Sequence, residues 1–542
     1  MVPKHLFPAR TGESSPSITL EKGAYRMRAP AHRPFGTQLF TSTPIPPVTT
    51  RHQRRAGTSN GRWVALIMLL ACASIVSFGV AYHLFLTRWD LLGHNRFRHN
   101  ADSIQVVAFN SSLHLPDANE KFLAYLPHSG FHNQRIALEN ALTLAYMLNR
   151  TLIVPPIRLG SHPIRYFIFD TLAQFLSLSG KEGLRHCARL PRHVPIPPEC
   201  ADYLDYTHIP WDWLVNLTDI QKHQRLIHRW DLTNGWIHDR LGILQNETHT
   251  LKDNSAYHFR FTDRPINDSM VGDKYKKNIH IRDLALYPHR LLQFGSLFGS
   301  TRLRLMDPEN VHVRGKVRQS MTYASPELVH AATLIERSIP GTYLGAHIRL
   351  GDGPFRNRRH ENTRLLWWHL VHGILNYSTE DTLALESMFL SPSDPVGRLQ
   401  IPPDFAKQQR VSLPPPSPNT ASRFPCRGIR HTASRLFALN TPLYIATDSN
   451  DPTNDPALSL LLRTFPCTFF LEDFPEQTAV LDSLVNEYDG IKLKSFLLSF
   501  LDSMVVAKAW QVVGTNGSTF SQFVQDALWT TYHGLDIVQR GR

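Results

Sequence analysis

Short apolar runs separated by polar segments recur along the chain from about residue 120 onward. Such runs are typical of strands buried on both faces of a parallel sheet. The predicted strands are 122–127, 151–155, 343–350, 443–448, 468–471 and 511–515. Between them, hydrophobic residues recur at helical spacing, as in 134–149 and 492–510. Strands that alternate with helices predict an α/β fold, here as two Rossmann-like halves at about 120–300 and 340–542.

A different pattern occupies residues 63–86, a continuous stretch without a formally charged side chain. At ~1.5 Å per residue, a helix of this length can cross a ~30 Å hydrocarbon core. Basic residues precede the stretch and favour a cytosolic N-terminus, although others follow it and weaken that orientation. A buried core helix is the alternative. The pattern predicts a single-pass type II membrane protein.

The N-terminal region differs in composition from the rest of the chain. Residues 1–62 are rich in Pro, Ser, Thr and Arg, and contain ten Lys or Arg against two acidic residues. They carry +8 of the formal net charge of +13, and their hydrophobic residues show no regular spacing. We therefore predict a disordered cytosolic tail. Because the excess charge lies in this tail and not on a folded face, no nucleic-acid partner is predicted.

The chain beyond the predicted span divides by pattern into three further parts. Residues 87–118 are predicted to form a stem, followed by domains at 119–335 and 336–542. Within the second domain, residues 392–427 are rich in proline. Consecutive prolines cannot join a central sheet, so this segment is predicted to be an inserted surface loop.

Four of the five cysteines lie beyond the predicted span, and Cys72 lies within it. An even number in an oxidising lumen predicts two disulfides. Proximity favours the pairs Cys187–Cys200 and Cys426–Cys467 among three possible pairings, and four free buried thiols are the alternative. N-glycosylation sequons also fit a secretory-pathway domain. They begin at Asn110, Asn149, Asn216, Asn246, Asn267, Asn376 and Asn516.

The first cluster of polar residues follows the first predicted strand. A turn at Gly130 leads from that strand into a helix. His128, His132 and Asn133 therefore lie at a strand-to-helix mouth, where backbone N–H groups can bind an anionic or polar ligand. An ordinary turn with Asn133 as the helix cap is the alternative.

The second cluster is the sequence GAHIRLGDG at 345–353. Strand side chains alternate, so His347 and Arg349 point the same way at the end of a buried strand. A buried arginine is costly unless it meets an anion, and a planar guanidinium suits a diphosphate. An ion pair between Arg349 and Asp352 is the alternative.

Two further strands end in polar residues. Thr447 and Asp448 close one of them, where a carboxylate can accept hydrogen bonds from a base or a ribose; capping of the next turn is the alternative. The other leads into GTNGSTFS at 514–521, whose small residues before a helix predict a phosphate cradle, with a tight turn as the alternative. A glycan on Asn516 would conflict with phosphate binding there, so we expect this sequon to stay unmodified.

Taken in this order, the segments resemble the protein O-fucosyltransferase family of the GT-B superfamily. The resemblance rests on GFHNQR with ALENALTLAYMLNRTLIVPP behind it, on HIRLGDGPF, on YIATDS and on VVGTNGSTFS. It spans residues 125–521, with 158–340 and the Pro-rich insert matching far less clearly. The chain is similar to fungal members with a type II anchor. The resemblance implies a GT-B fold whose two Rossmann-like domains face a cleft, with the acceptor at 119–335 and the donor at 336–542.

The resemblance also implies a role for each matched position. Arg349 would hold the donor diphosphate and assist the departure of GDP, and Asn133 would lie near the transferred sugar. His347 would support Arg349 or touch the nucleotide, and Asp448 would lie on the guanosine side. The other residues expected to contact substrates are Gly130, Phe131, Asp352, Gly517, Ser518, Thr519 and Phe520.

These motifs do not identify the residue that acts as general base. Some members of the family place a catalytic Glu in the first motif, where this chain has His132 and Asn133. Glu139 lies about two turns further along the same predicted helix. His132, Glu139 and Asp352 are the candidate bases, and a dissociative route that needs little base is the alternative.

The predicted function is inverting transfer of L-fucose from GDP-fucose to a Ser or Thr hydroxyl of a protein, in the Golgi or the endoplasmic reticulum. No Asp-x-Asp motif occurs beyond the predicted span and no His-Glu-x-x-His set is present, so neither a metal nor another cofactor is expected. The expected partners are GDP-fucose, the acceptor, and the bilayer through 63–86. The alternatives are a glycan-directed fucosyltransferase and a catalytically inactive nucleotide-sugar-binding Golgi membrane protein. An adhesive receptor would leave the strand-end motifs unexplained.

Overall fold

Each apolar run predicted to be a strand forms one in the computed structural model of the chain, and each pairs in parallel with its neighbours. The structure describes residues 18–20, 23–25, 105–107, 117, 119–161, 163–191, 193–265, 274–351, 353–390 and 426–539. The predicted membrane span, Asp352 and most of the Pro-rich insert lie outside these residues. Within the described ranges, no helix combines the length and the apolar character that a bilayer span requires.

The strands are numbered in chain order. They are β1 (Ile18–Leu20), β2 (Gly23–Tyr25), β3 (Gln105–Val107), β4 (Phe122–Ala124), β5 (Thr151–Val154), β6 (Ile157–Gly160), β7 (Tyr206–Ile209), β8 (Leu226–His228), β9 (Thr248–Leu251), β10 (Phe259–Thr262), β11 (Lys277–His280), β12 (Leu291–Phe294), β13 (Leu303–Arg304), β14 (Leu344–Ile348), β15 (Leu443–Thr447), β16 (Thr468–Phe469), β17 (Leu484–Asn486) and β18 (Gln511–Gly514).

The helices are numbered in the same way. They are α1 (Phe131–Met147), α2 (Phe169–Ser177), α3 (Trp211–Leu214), α4 (Thr218–Gln221), α5 (Asn234–Leu241), α6 (Ile281–Ala285), α7 (Pro308–Ser320), α8 (Pro326–Ser338), α9 (Gly353–Asn357), α10 (Arg359–Trp368), α11 (Thr379–Phe389), α12 (Ser459–Thr464), α13 (Pro475–Thr478), α14 (Lys494–Ala507), α15 (Thr519–Phe523) and α16 (Trp529–Tyr532).

The N-terminal half is built on a five-stranded parallel sheet with the order β8-β5-β4-β12-β9. The chain adds β5 and β8 on one side of β4, and then returns to place β12 on the other side. The direction of winding therefore reverses between β4 and β12. In open α/β sheets, ligands bind outside the carboxyl ends of the strands at such a reversal. The loop after β4, which carries the first polar cluster, lies at this point.

The C-terminal half is built on a four-stranded parallel sheet with the order β16-β15-β14-β18. Its winding reverses between β14 and β18, so the loops after these two strands lie at the second reversal. Helix α14 packs against β14 and β15. At Gly345 on β14, an added Cβ would lie 2.6 Å from the Val506 carbonyl oxygen. Glycine thus permits the close approach of α14 to the centre of this sheet.

Smaller sheets surround these two. Strands β11, β10 and β13 form a parallel sheet, and β6 pairs with β7 antiparallel. Strand β3 lies within the residues predicted to form a stem, and it pairs in parallel with β17. Strands β1 and β2 pair antiparallel within the tail predicted to be disordered.

The hydrophobic core continues across both halves. One cluster of buried residues includes Leu123 and Leu152 in the first sheet, Tyr444 and Val512 in the second, and Leu497 on α14. All described residues belong to a single compact unit. Both favoured disulfides are confirmed, Cys187–Cys200 with Cα atoms 5.4 Å apart and Cys426–Cys467 with Cα atoms 4.3 Å apart.

A buried polar cluster joins the two halves, and we call it the Lys181 lock. The Lys181 ammonium lies 3.1 Å from Asp489 Oδ2, and both side chains are fully buried. Thr207 Oγ1 donates to the same carboxylate oxygen over 2.9 Å. Asn486 Nδ2 donates to Thr207 Oγ1 over 2.7 Å, and the Tyr203 hydroxyl donates to the Asp489 carbonyl oxygen over 2.7 Å. Burial lowers the pKa of Lys181 to about 8, although Asp489 opposes that shift.

Candidate active site

A cleft of about 840 Å³ lies where the two sheets bring their reversal points together. The N-terminal half contributes the start of α1, and the C-terminal half contributes the loops after β14, β15, β16 and β18. The predicted site residues that line it are Gly130, Phe131, His132, Asn133, His347, Arg349, Asp448, Thr519 and Phe520. Residues more than 380 positions apart in the sequence thus meet in one cavity, and its volume is typical of ligand sites.

Arg349 follows the last residue of β14, and hydrogen bonds to Thr515 and Asp448 hold the backbone around it. Its N–H donates to Thr515 Oγ1 over 2.9 Å, across the reversal between β14 and β18. The next two N–H groups, of Leu350 and Gly351, donate to the two carboxylate oxygens of Asp448 over 2.6 and 3.0 Å. The guanidinium carbon lies 5.2 Å from the centre of the Phe355 ring. The loop that carries the guanidinium is therefore fixed before any ligand binds.

Asp448 has a structural task that sequence reasoning did not assign to it. Its carboxylate fixes the loop of Arg349 through the two backbone hydrogen bonds described above. It also lines the cleft. Because each carboxylate oxygen has a second lone pair, Asp448 retains the capacity to accept a hydrogen bond from a ligand.

His347 links β14 to the start of α15. Its Nδ1 lies 2.8 Å from Ser521 Oγ, and its ring meets the Phe520 ring edge-on at 4.9 Å. Burial, and then the nearby Arg349, lower the pKa of His347 to about 4. The imidazole is therefore neutral at physiological pH, so that it positions the loop and adds no positive charge.

The turn before α15 is shaped by small residues. Gly517 has φ +78°, a conformation that glycine adopts without strain. Ser518 is buried, and its hydroxyl accepts a hydrogen bond from the Ser521 N–H over 3.2 Å, which caps the helix. Gly517 and Ser518 thus form the turn, whereas Thr519 and Phe520 after them line the cleft.

His132 and Asn133 present the first turn of α1 to the cleft. The His132 ring centre lies 5.5 Å from that of Phe520 and 5.7 Å from that of Phe523. Its Nδ1 is buried and has no hydrogen-bond partner among the described residues. Burial, followed by the charges of Arg135 and Arg349, holds the pKa of His132 well below its ordinary value. A neutral imidazole therefore lies beside the cleft.

Glu139 is placed away from the cleft. One carboxylate oxygen lies 2.6 Å from Arg318 and the other 3.0 Å from Arg135. Burial alone would raise the pKa of Glu139, but Arg318 and Arg135 outweigh it, so the pKa lies below its ordinary value. Glu139 lines a separate cavity of about 100 Å³ that also contacts His132. Its geometry suits charge balance around α1 more than proton transfer in the cleft.

Asp502 is a cleft residue that sequence reasoning missed. It lies on α14, and the Tyr444 hydroxyl donates to its Oδ1 over 2.7 Å. Although it keeps some solvent exposure, the protein packed around its carboxylate raises the pKa of Asp502 to about 7. A sequence signal existed, because Asp502 is the only acidic residue within 492–510. An acid inside an otherwise apolar helical stripe is unusual unless it has a partner or a function.

One cluster of metal-binding residue types occurs among the residues that the structure describes. It comprises His186, Cys187 and Cys200. Since the two cysteines are joined in a disulfide, they offer no thiolate to a metal ion. The cluster also lies apart from the residues that line the cleft.

Comparisons of the chain with known proteins give short or loose matches. No protein-family model matches it. O-fucosyltransferase 30 of Arabidopsis thaliana is 45% identical over 62 residues, a segment that covers 10% of this chain and 12% of that protein. The chain therefore matches only a small part of this curated relative.

Solved structures of POFUT1 cover a much larger share of the chain. The complex with GDP-fucose aligns over 74% of this chain and 99% of its own, at 10% identity and a TM-score of 0.29. The complex with GDP covers the same shares, at 11% identity and a TM-score of 0.30. A superposition this loose carries no argument about function.

Proposed function

We propose that this chain is a fucosyltransferase of the protein O-fucosyltransferase family, which moves L-fucose from GDP-fucose to a Ser or Thr hydroxyl of a protein with inversion. The observation that carries the proposal is the meeting of both reversal-point loops in one cleft, with Arg349 among the residues that line it. A fixed guanidinium at the reversal of a parallel sheet suits the diphosphate of a nucleotide sugar. The motif resemblance and the short match to an O-fucosyltransferase support fucose as the sugar.

The nucleotide would extend from Arg349 towards the far end of the second sheet. Neighbouring strands lie ~4.8 Å apart, so the loop after β15 is one strand further from the diphosphate and the loop after β16 is two strands further. Asp448, Asp502 and Glu472 line this part of the cleft. Guanine presents an N–H and an NH₂ group side by side, and a carboxylate can accept both. This acidic end therefore suits guanosine.

The reaction would be a single displacement at the anomeric carbon. The bond from that carbon to the diphosphate oxygen breaks, and GDP leaves with the electron pair beside Arg349. The acceptor oxygen forms the new bond from the opposite face, and its proton passes to the imidazole of His132. The bound diphosphate offsets the charge of Arg349 and so removes one cause of the low pKa of His132, while burial and Arg135, the larger causes, remain.

The cellular setting belongs to the proposal as well. Two disulfides in the described residues favour an oxidising compartment. We place the folded domain in the lumen of the Golgi or the endoplasmic reticulum, anchored as a type II protein through residues 63–86. Neither a metal nor another cofactor is required, because Arg349 offsets the charge of the leaving diphosphate.

Calorimetric titration of the purified chain with a panel of nucleotide sugars tests the donor. GDP-fucose is expected to bind in the micromolar range, with GDP-mannose weaker and UDP-sugars weaker still. If a UDP-sugar binds and GDP-fucose does not, the donor assignment is wrong. If no nucleotide binds to the folded chain, the assignment of the chain as a transferase is wrong. Donor binding without transfer or hydrolysis would favour the inactive nucleotide-sugar-binding alternative.

Asp502 gives a second prediction, on the pH dependence of GDP affinity. Because its pKa is raised to about 7, the carboxylate is ionised above that pH and protonated below it. A guanine that donates to this carboxylate should therefore bind more weakly as the pH falls from 8 to 6. Asp502→Asn should weaken GDP binding by ~10- to 100-fold at pH 8 and flatten the pH profile, as expected for loss of a charged hydrogen bond. An unchanged profile in Asp502→Asn would remove this residue from guanine recognition.

A further inference from the structure

A second cavity, which we call the side groove, opens beside the cleft. Its volume is about 430 Å³, and it shares several walls with the cleft. The shared residues are Gly130, Phe131, Ser495, Ser499 and Phe500. Gly130 and Phe131 immediately precede His132. The side groove therefore leads from the protein surface to the place where an acceptor hydroxyl would have to enter.

Strand β6 forms one wall of the side groove, and its edge away from β7 is partly occupied. The Arg158 N–H donates to Gln134 Oε1 over 2.9 Å, and Gln134 Nε2 donates to the Arg158 carbonyl oxygen over 2.9 Å. The side-chain amide of Gln134 thus imitates a neighbouring strand at this position. In an antiparallel pair, alternate residues direct their backbone groups to opposite edges. Arg158 and Gly160 therefore face the same edge, away from β7.

Gly160 is exposed, and the structure admits only glycine there. Its φ is +146°, and an added Cβ would lie 2.2 Å from the Asp205 carbonyl oxygen. Without a side chain, the backbone of Gly160 is accessible to another backbone at close range. The open part of the β6 edge is therefore at Gly160, which also lines the side groove.

The remaining walls combine apolar and charged groups. Leu204 is 59% exposed, although leucine is usually buried, and it lies in the side groove with Pro163 and Phe496. Asp205 lines the same cavity, as does Arg158, whose guanidinium carbon lies 3.7 Å from the centre of the Tyr206 ring. A ligand would thus meet a strand edge, an apolar wall and both signs of charge.

We propose that the side groove binds an extended segment of the acceptor polypeptide, paired with the β6 edge at Gly160, so that a Ser or Thr side chain reaches the cleft past Gly130. The proposal rests on the proposed function and deepens it by naming the acceptor site. Strand addition provides affinity through main-chain hydrogen bonds, and neighbouring pockets select alternate side chains. At Gly160 the β6 edge offers a backbone N–H and a carbonyl group that a polypeptide backbone can pair with, whereas the backbone groups of Arg158 are already paired with Gln134. The exposed Leu204 supplies the side-chain contact.

The test compares Leu204→Arg with Leu286→Arg in the full chain. Leu286 is 81% exposed and lines neither the cleft nor the side groove, so it provides a matched control. The probe is a mixture of short synthetic peptides, each with one Ser or Thr, supplied with GDP-fucose. We expect Leu204→Arg to raise the KM for peptides about tenfold with little change in kcat, as for an interface contact. Both variants should bind GDP-fucose like the wild type. Equal KM values for the two variants would overturn the proposal.

A second measurement does not depend on turnover. Leu204, or Leu286 in the control, is replaced by a photoreactive phenylalanine derivative, and the chain is irradiated with the same peptides. Enrichment of cross-linked peptides at position 204 over position 286 is expected, with or without donor. Absence of enrichment, or transfer to free oligosaccharides but to no peptide, would reject the polypeptide assignment. If GDP-fucose fails to bind while peptides still cross-link at position 204, the donor assignment is wrong, but the assignment of the side groove as a peptide-binding site remains.

Discussion

Replacing Arg349 with alanine is expected to lower the turnover of fucose transfer by about 10²–10³-fold, which corresponds to the loss of one preorganised charge-stabilising donor. The loop that carries Arg349 is fixed by Thr515 and Asp448, so the guanidinium does not have to be ordered when the donor binds. The residue also contributes to GDP binding in the ground state, so the affinity for GDP-fucose should fall as well. Steady-state kinetics with calorimetry of the donor separate the two effects.

Two further variants sharpen the Arg349 experiment. Arg349→Lys keeps the positive charge but not the planar fork of donors, and should recover only part of the turnover. Arg356→Ala removes an exposed arginine on α9 that does not line the cleft, and should behave like the wild type. If Arg349→Ala keeps turnover and donor affinity close to those of Arg356→Ala, the diphosphate is held elsewhere.

The second large effect is expected on stability. Asp489→Ala should lower the free energy of unfolding by about 3–5 kcal/mol, because it leaves the buried Lys181 ammonium without its countercharge. It also removes the acceptor for Thr207 and for the Ile491 N–H, which lies 3.1 Å from Asp489 Oδ1. Guanidinium unfolding at pH 7 measures the loss. The double replacement Lys181→Met with Asp489→Leu should cost less than Asp489→Ala alone, because no unpaired charge remains.

The pH dependence of the Asp489→Ala variant has a definite sign. The pKa of Lys181 in the folded protein is lowered to about 8, below its ordinary value, so the folded state loses this proton before the unfolded chain does. The contribution of Lys181 to the free energy of unfolding therefore increases as the pH rises from about 8 towards the pKa of the unfolded chain, ~10.4. Since Asp489 is the group that opposes the shift, its removal lowers the pKa of Lys181 further. The loss of unfolding free energy caused by Asp489→Ala should consequently become smaller in alkaline solution, where lysine is neutral in both the folded and the unfolded state.

A surface ion pair of similar length serves as the comparison for Asp489. Lys222 Nζ lies 2.7 Å from Asp219 Oδ1, but the two side chains are 62% and 81% exposed. Water and salt screen such a pair, so Asp219→Ala should leave the unfolding midpoint unchanged. Similar curves for Asp489→Ala and Asp219→Ala would mean that water reaches the Lys181 lock.

The two central sheets could be predicted from the sequence because their strands are buried on both faces. Such strands appear as uninterrupted apolar runs, and β4, β5, β14 and β15 are of this kind. Strand β11 was missed because Lys277–His280 contain a single apolar residue, Ile279, and are partly exposed, which leaves only a weak hydrophobic signal. Helix α1 also begins earlier than its apolar stripe, since Phe131, His132 and Asn133 in its first turn face the cleft instead of a continuous core.

The candidate site could be predicted only as far as local motifs extend. Arg349, His347 and Asp448 come from strand-end motifs and line one cleft, since parallel strands end at a common edge. The partnership of Glu139 with Arg318 joins residues 179 positions apart, and no local pattern reveals it. Asp502 left a local signal as the one acid within 492–510, but only the tertiary packing of α14 turns it towards the cleft.

The Lys181 lock restricts how the cleft can change its width. Hinged enzymes of two lobes close around ligands by rotating one lobe against the other about a few flexible residues. Here such a rotation would have to separate Lys181 and Thr207 from Asp489 and Asn486, and thereby expose a buried ion pair. Ligands should accordingly enter a cleft that folding has already shaped. Free and nucleotide-bound forms should then superpose as nearly rigid bodies, with adjustment confined to side chains at the mouth.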